Sequence, residues 1–180
     1  VDVICDVLPN DASRNEEASN LALVSEIGYK YYSVTFKPNS STPVGNKLVR
    51  QAIEYAIDKQ SLVDAVMYGY GQVGSLMATP PTAGYNAEKD RGNLYDPEKA
   101  KELLTEAGYP DGFDLDFYVT SGQTYEEIGT ILQDQLKEVG INVNMNVLES
   151  NTIDEMVYGG QEVPVRLDFF NNICGETEFV

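Results

Sequence analysis

Histidine and tryptophan are both absent from this sequence, and cysteine occurs only twice. Without histidine the chain loses the commonest metal ligand and the usual acid–base residue near neutral pH. A nucleophilic triad would have to recruit a lysine or a carboxylate as its base, so catalysis is not expected and no cofactor is implied. Without tryptophan the largest stacking surface for a sugar ring is missing. Cys5 and Cys174 stand at opposite ends of the chain and show no zinc spacing. Basic side chains are scarce as well: 12 Lys and Arg against 29 Asp and Glu give a formal charge of -17. Such a field repels phosphate backbones and anionic headgroups, which argues against nucleic-acid and membrane-surface partners. No run approaches the roughly 18 apolar residues that a membrane-spanning helix needs. An initiator methionine, a signal peptide and a lipid-anchor cysteine are likewise missing near the start. The expectation is a single domain, residues 1–180, excised from a longer protein.

What is present alternates between strand and helix patterns. Residues 1–7 alternate as a strand, and a polar helix follows, with Asp11 or Ser13 as its cap and Glu16 and Glu17 near its start. Residues 21–27 and 29–36 predict a strand pair around Gly28, and 38–45 a loop. Leu48, Val49, Ala52, Ile53, Tyr55, Ala56 and Ile57 give the next helix a wide apolar face, which predicts burial on more than one side. Asp58 ends it and caps a second helix carrying Leu62, Val63, Val66 and Met67, which Gly69 and Gly71 break. Residues 72–94, rich in Gly, Pro, Ala and Thr, predict a long wrapping loop, a type that is often functional.

Asp96-Pro97 opens the clearest helix, since Asp suits the N-cap and Pro the first helical position, and Gly108 closes it. Phe113, Leu115, Phe117 and Val119 alternate as a strand. Thr124 and Glu127 predict a capping box for a helix bearing Ile128, Ile131, Leu132, Leu136 and Val139, closed by Gly140. Ile141, Val143, Met145 and Val147 alternate with three asparagines as a further strand. Ser150 or Asn151 then caps a short helix ending at Gly159-Gly160, and residues 163–170 form the last strand. This order implies parallel pairing with helices on the faces.

In open α/β sheets, ligands lie beyond the carboxyl ends of the strands. Three segments fall there: 120–124 with Ser121, Gln123 and Thr124; 149–152 with Ser150; and 171–177 with Asn171, Cys174, Glu176 and Thr177. Their hydroxyls, amides and helix-terminal N–H groups suit a polar or anionic ligand group. Helix capping and loop solvation compete as the explanation of the same residues. The carboxylate pairs (Asp114 with Asp116, Glu126 with Glu127, Glu176 with Glu178) fit solvated faces on so acidic a surface. Gly69-Tyr70-Gly71 has no strand before it and no GK[ST] after it, and Asp154-Glu155 lacks calcium-loop spacing.

Five pieces then follow one another in a telling order: Val49-Arg50-Gln51-Ala52-Ile53-Glu54-Tyr55-Ala56-Ile57-Asp58; the Gly69-Tyr70-Gly71 turn with its later prolines; Asp96-Pro97-Glu98-Lys99-Ala100-Lys101-Glu102-Leu103-Leu104; Ala107-Gly108-Tyr109-Pro110-Asp111-Gly112-Phe113; and Leu136-Lys137-Glu138-Val139-Gly140-Ile141. In this order the chain resembles the second lobe of family 5 extracellular solute-binding proteins, the oligopeptide, dipeptide and nickel receptors of ABC importers. The resemblance covers nearly the whole chain. It implies an α/β fold: a type II periplasmic-binding-protein-like lobe, a mixed sheet with helices on both faces. It also implies a monomeric receptor lobe that encloses its ligand against a second lobe by hinge closure and docks on an ABC permease in the membrane. Such a protein is extracellular or periplasmic, and its full-length form a membrane-anchored lipoprotein.

The ligand that the resemblance implies is a peptide or a peptide-like small molecule. Peptide binders of this family place a Trp where Ser150 stands and a Trp-x-x-Asp pattern where this chain has Cys174-Gly175-Glu176-Thr177, and some of them place an Arg where Asn171 stands. That Asp receives the amino terminus of the peptide. A buried ammonium without a carboxylate partner is costly, so Glu176 or Glu178 has to stand in for it here. Nickel binding through histidines of this lobe is excluded. Family chain ends run towards the hinge, which brings Cys5 and Cys174 within range of a disulfide; two separate buried thiols are the alternative. An oligosaccharide or other polar solute, or a lobe that acts as a sensor or docking module, are the competing functions.

Overall fold

Alternation makes a segment fit to be a strand, but only a partner makes it one. In the computed structural model, which describes residues 7, 9–16, 18 and 22–171, the chain forms ten main elements among the described residues. They are α1 (Pro9–Glu16), β1 (Lys30–Phe36), α2 (Lys47–Ala56), α3 (Lys59–Val66), α4 (Pro97–Glu106), β2 (Phe113–Thr120), α5 (Gln123–Glu138), β3 (Ile141–Leu148), α6 (Ser150–Tyr158) and β4 (Val165–Asn171). The strands make one mixed sheet in the order β1-β4-β2-β3. β2 pairs in parallel with both β3 and β4, and β1 closes one edge antiparallel to β4.

The connection through α5 moves outward from β2 to β3, and the one through α6 moves back past β2 to β4. Right-handed crossovers that reverse direction put their helices on opposite faces. Leu115, Phe117 and Val119 of β2 point to the α5 face, where they join Val49, Ala52 and Ile53 of α2, Leu104 of α4 and Leu132 of α5 in one core. α2 packs on α4 and also touches α5, which is why its apolar face is wide. At β2 and β3 the other sheet face is polar, where Asn142 and Asn144 donate to Asp114 and Asp116 at 3.2 and 3.4 Å, all four exposed; at β1 and β4 it carries the stacked rings of Tyr31 and Phe170.

Capping follows the sequence at two helices. Asp58 Oδ1 accepts from the N–H groups of Gln60 and Ser61 and so starts α3. Asp96 Oδ1 accepts from the Lys99 N–H at 2.9 Å, with Pro97 in the first position of α4. It fails at three. α1 begins at Pro9, so Asp11 lies inside its first turn. α5 is capped by Gly122 and not by Thr124; Glu126 Oε1 accepts from the Gly122 N–H at 3.1 Å, and the expected Thr124–Glu127 box does not form. α6 starts at Ser150 after Glu149, with no side-chain cap from Ser150 or Asn151. At α5 and α6 the preceding turn fixes the entry one or two residues earlier than the polar side chain suggested.

Residues 22–28 carry no regular structure, so the strand pair around Gly28 is replaced by pairing between β1 and the distant β4, Lys30 opposite Asn171 through Phe36 opposite Val165. Val24 and Ile27 stay exposed, and a segment without apolar burial gains nothing from extension. The expected strand over residues 1–7 lies outside the described residues save for Val7. Residues 72–94 are a loop, as expected, with one short 3-10 turn, Ala87–Lys89. Asp90 pins this loop by accepting from the N–H and hydroxyl of Ser75, the N–H of Gly92 and the hydroxyl of Tyr85. Arg91 fixes it to α2 through a two-pronged contact with Glu54 at 2.8 and 3.0 Å.

Candidate functional site

Because β2, β3 and β4 are parallel, their carboxyl ends share one edge of the sheet. Thr120 lies opposite Leu148, and the Ser121 N–H donates to the Leu148 carbonyl at 2.7 Å. That bond brings the first two predicted segments, 120–124 and 149–152, side by side. β4 is paired with β2 only as far as Leu167, and residues 168–171 run on beside β1. Asn171 therefore ends the same edge, opposite Lys30. Cys174, Glu176 and Thr177 lie outside the described residues, as do Cys5 and Glu178.

The predicted side chains differ in their roles. Ser121 is half-buried at the turn, and Thr124 is half-buried in the first turn of α5. Gln123 is exposed and donates from Nε2 to Glu127 Oε1 at 2.9 Å. Ser150 is exposed at the first position of α6. An anionic ligand group at the start of α5 would meet the Glu126 carboxylate that already accepts from Gly122, so this edge favours a neutral or cationic group there. An open groove of about 450 Å³ between α3 and α5, lined by Ala65, Val66, Gln123, Glu126, Glu127, Thr130 and Ile131, shares only Gln123 with the predicted residues. Among the described residues no His, Cys, Asp and Glu grouping suits a metal ion.

Three rings at this edge escape a search for polar residues. Tyr32 of β1 meets Phe169 of β4 at 5.1 Å between ring centres and Tyr125 of α5 at 5.5 Å, the latter edge to face. Tyr32 and Phe169 are directly opposite in the β1–β4 register and stay more than a third exposed. Burial, and then the neighbouring Tyr125, raise the Tyr32 hydroxyl above the ordinary tyrosine range; burial, and then Asp168, do the same for Tyr125. Both phenols are therefore neutral at physiological pH. The available signal was the alternation itself, which puts Tyr32 and Phe169 on the core-facing side of strands that outrun the core.

On the opposite face, Asp168 is half-buried. It receives Arg166 Nε at 2.9 Å and a hydrogen bond from the Thr35 hydroxyl. Burial nevertheless raises its carboxyl above the usual aspartate range, against the pull of Thr35 and Arg166.

An edge built from two crossover turns and the end of an antiparallel ribbon is the place where a sheet of this kind holds a solute. Residues 1–165 match the family described as bacterial extracellular solute-binding proteins, family 5 Middle. The chain belongs to this family. Its members are solute-binding proteins and not enzymes. This family 5 chain is similar to heme-binding protein A of Haemophilus influenzae, 32% identical over 149 residues that cover 78% of the chain and 27% of that protein. It is also similar to di/tripeptide-binding protein 1 of Pseudomonas aeruginosa, 31% identical over 162 residues, 85% of the chain and 29% of that protein. Its fold is similar to that of DppA of Helicobacter pylori, an ABC transporter-associated periplasmic binding protein in complex with the peptide STSA. The TM-score is 0.77 at 26% identity, over 90% of this chain and 31% of that one. The chain thus spans about a quarter to a third of the relatives it matches.

Proposed function

We propose that this chain is one lobe of a two-lobe receptor for an ABC importer, and that the carboxyl edge of its sheet forms one wall of the ligand cleft. The reading rests most on one observation: the Ser121–Leu148 bond gathers both crossover turns at the edge where the exposed rings of Tyr32 and Phe169 emerge. Ser121, Gln123, Thr124, Ser150 and Asn171 would supply polar contacts, with Glu176 or Glu178 standing in for the family's ammonium-binding aspartate and Cys174 and Thr177 beside it. The proposed ligand is a peptide or peptide-like solute, in keeping with the di/tripeptide name and bound peptide of two relatives. In this reading the full-length protein is an extracellular or periplasmic monomer, tethered as a lipoprotein, that delivers its ligand to a permease.

A sugar is the second reading. Tyr32 and Phe169 offer the stacking surface that the lack of tryptophan had removed. Thermal unfolding of the full-length receptor separates the two, since a ligand that binds only the native state raises its melting temperature. Di- to penta-peptides are expected to raise it, and a shift with oligosaccharides alone would overturn the peptide reading. Replacing Tyr32 and Phe169 by Ala together should reduce the shift by weakening binding by about 1–3 kcal/mol.

A further inference from the structure

α6 is attached to the sheet by little apolar contact. Ile153 is the one buried residue among its nine, and it lies outside the main core cluster. Helices shorter than about 12–15 residues are marginal in water without packing. Polar contacts have to supply what apolar burial does not. Arg166 of β4 reaches Asp154 Oδ1 of α6 with Nη1 at 3.2 Å and Asp168 Oδ2 with Nε at 2.9 Å. The Thr35 hydroxyl of β1 donates to the same Asp168 oxygen. One guanidinium fork thus joins β4 to α6, and through Asp168 to β1.

The arrangement is polar but only partly wet. The Arg166 side chain is 26% exposed and Asp168 16%, against 48% for Asp154. Asp154 follows Ser150 by four residues, which puts the two on one helix face a single turn apart. Whatever holds Asp154 therefore holds Ser150 and the turn at 149–152. The far end of α6 is tied separately, by Lys37 Nζ to the Gln161 carbonyl at 3.3 Å and to Glu162 at 3.1 Å. Those contacts are exposed and weak.

From this geometry we infer that Arg166 is a positioning residue: it fixes α6, and with it Ser150 and residues 149–152, against the edge that faces the ligand. The inference rests on the reading of that edge as a cleft wall. An ion pair with a purely structural role would change global stability and leave the rest alone. A positioning pair changes the exchange of α6 and the affinity for ligand while the core keeps its protection.

Asp154→Ala tests this most cleanly, because it frees α6 and leaves Arg166, Asp168 and Thr35 joined on the sheet. Arg166→Lys keeps the charge and removes the fork. Native-state hydrogen exchange on the full-length receptor should show amides 152–158 exchanging about tenfold faster in both variants, with α5 unchanged. Calorimetry with the tripeptide Ala-Ala-Ala should show affinity lowered about three- to tenfold. Unchanged exchange in α6 would overturn the clamp, and a loosened α6 with unchanged Ala-Ala-Ala affinity would overturn the positioning role. A wild-type receptor that ignores Ala-Ala-Ala but keeps a clamped, exchange-protected α6 would instead count against the peptide reading.

Discussion

A Cβ at Gly112 would sit 1.8 Å from the Gly140 carbonyl oxygen, the atom that accepts from the Phe113 N–H where β2 and β3 begin to pair. Gly112 also has φ +79°, so a side chain there is opposed by both contact and backbone. Gly108, at φ +93°, has nothing within 4 Å. Gly108→Ala should therefore cost about 1–2 kcal/mol, the left-handed penalty alone, and Gly112→Ala about 2–4 kcal/mol, read from urea midpoints. Two aspartates carry opposite pH signatures. Desolvation raises Asp90, but the bonds from Gly92, Ser75 and Tyr85 outweigh it and hold the carboxyl below the usual range. A lowered folded value means stability present above the unfolded pKa of about 3.9 and lost as pH falls through the folded one. Asp168, raised by burial, works the other way: its contribution is full below about 3.9 and is lost as pH rises through its folded value. Stability measured against pH should therefore lose acid sensitivity in Asp90→Asn and gain stability at neutral relative to acid pH in Asp168→Asn. The reverse order would contradict both assignments.

Among the elements, the joint between α2 and α3 gathers three bonds on one side chain. Asp58 accepts from Gln60 and Ser61 at 3.1 and 3.4 Å and from Asn93 Nδ2 at 2.8 Å, so it caps α3 and holds the end of the long loop together. Gln135 of α5 locks the same joint through the backbone, donating to the Asp58 carbonyl and accepting from the Asp58 N–H. Asp58→Ala should cost about 1–2 kcal/mol, the upper part of the capping range. Thr124→Ala, at a position that caps nothing, should cost less than about 0.5 kcal/mol. Equal losses in denaturant unfolding would mean that α5 is capped by Thr124 after all.

For the whole molecule, length is the decisive fact, because the chain spans about a quarter to a third of its relatives. In the proposed receptor the cleft has two walls, and this chain supplies one. Removing half the contacts and the hinge should weaken peptide binding at least about 100-fold, or roughly 2.7 kcal/mol, against the full-length protein. Calorimetry on both is the check, and tight one-to-one binding by this chain alone would sink the half-receptor proposal. The same scale explains the surface: with a formal charge of -17, affinity for the start of α5 should fall when a ligand gains negative charge.

The sequence by itself determined the elements whose signals are local. Asp58 and Asp96 cap where their side chains reach backbone N–H groups two or three residues on, and the alternation of Phe113 to Val119 and of Ile141 to Val147 places β2 and β3. Order along the chain was enough to place two crossover turns on one edge, since parallel strands share their carboxyl ends. Pairing over long sequence separation was decided only by the tertiary structure. Residues 22–28 and 30–36 have similar local patterns, yet only the second meets β4, more than a hundred residues away, and becomes a strand. The same pairing set Tyr32 against Phe169 and Thr35 beside Arg166 and Asp168, contacts that no spacing along the chain encodes. Local hydrogen-bond chemistry is written within a turn of the residue that makes it; a site at a sheet edge exists only once distant strands have met.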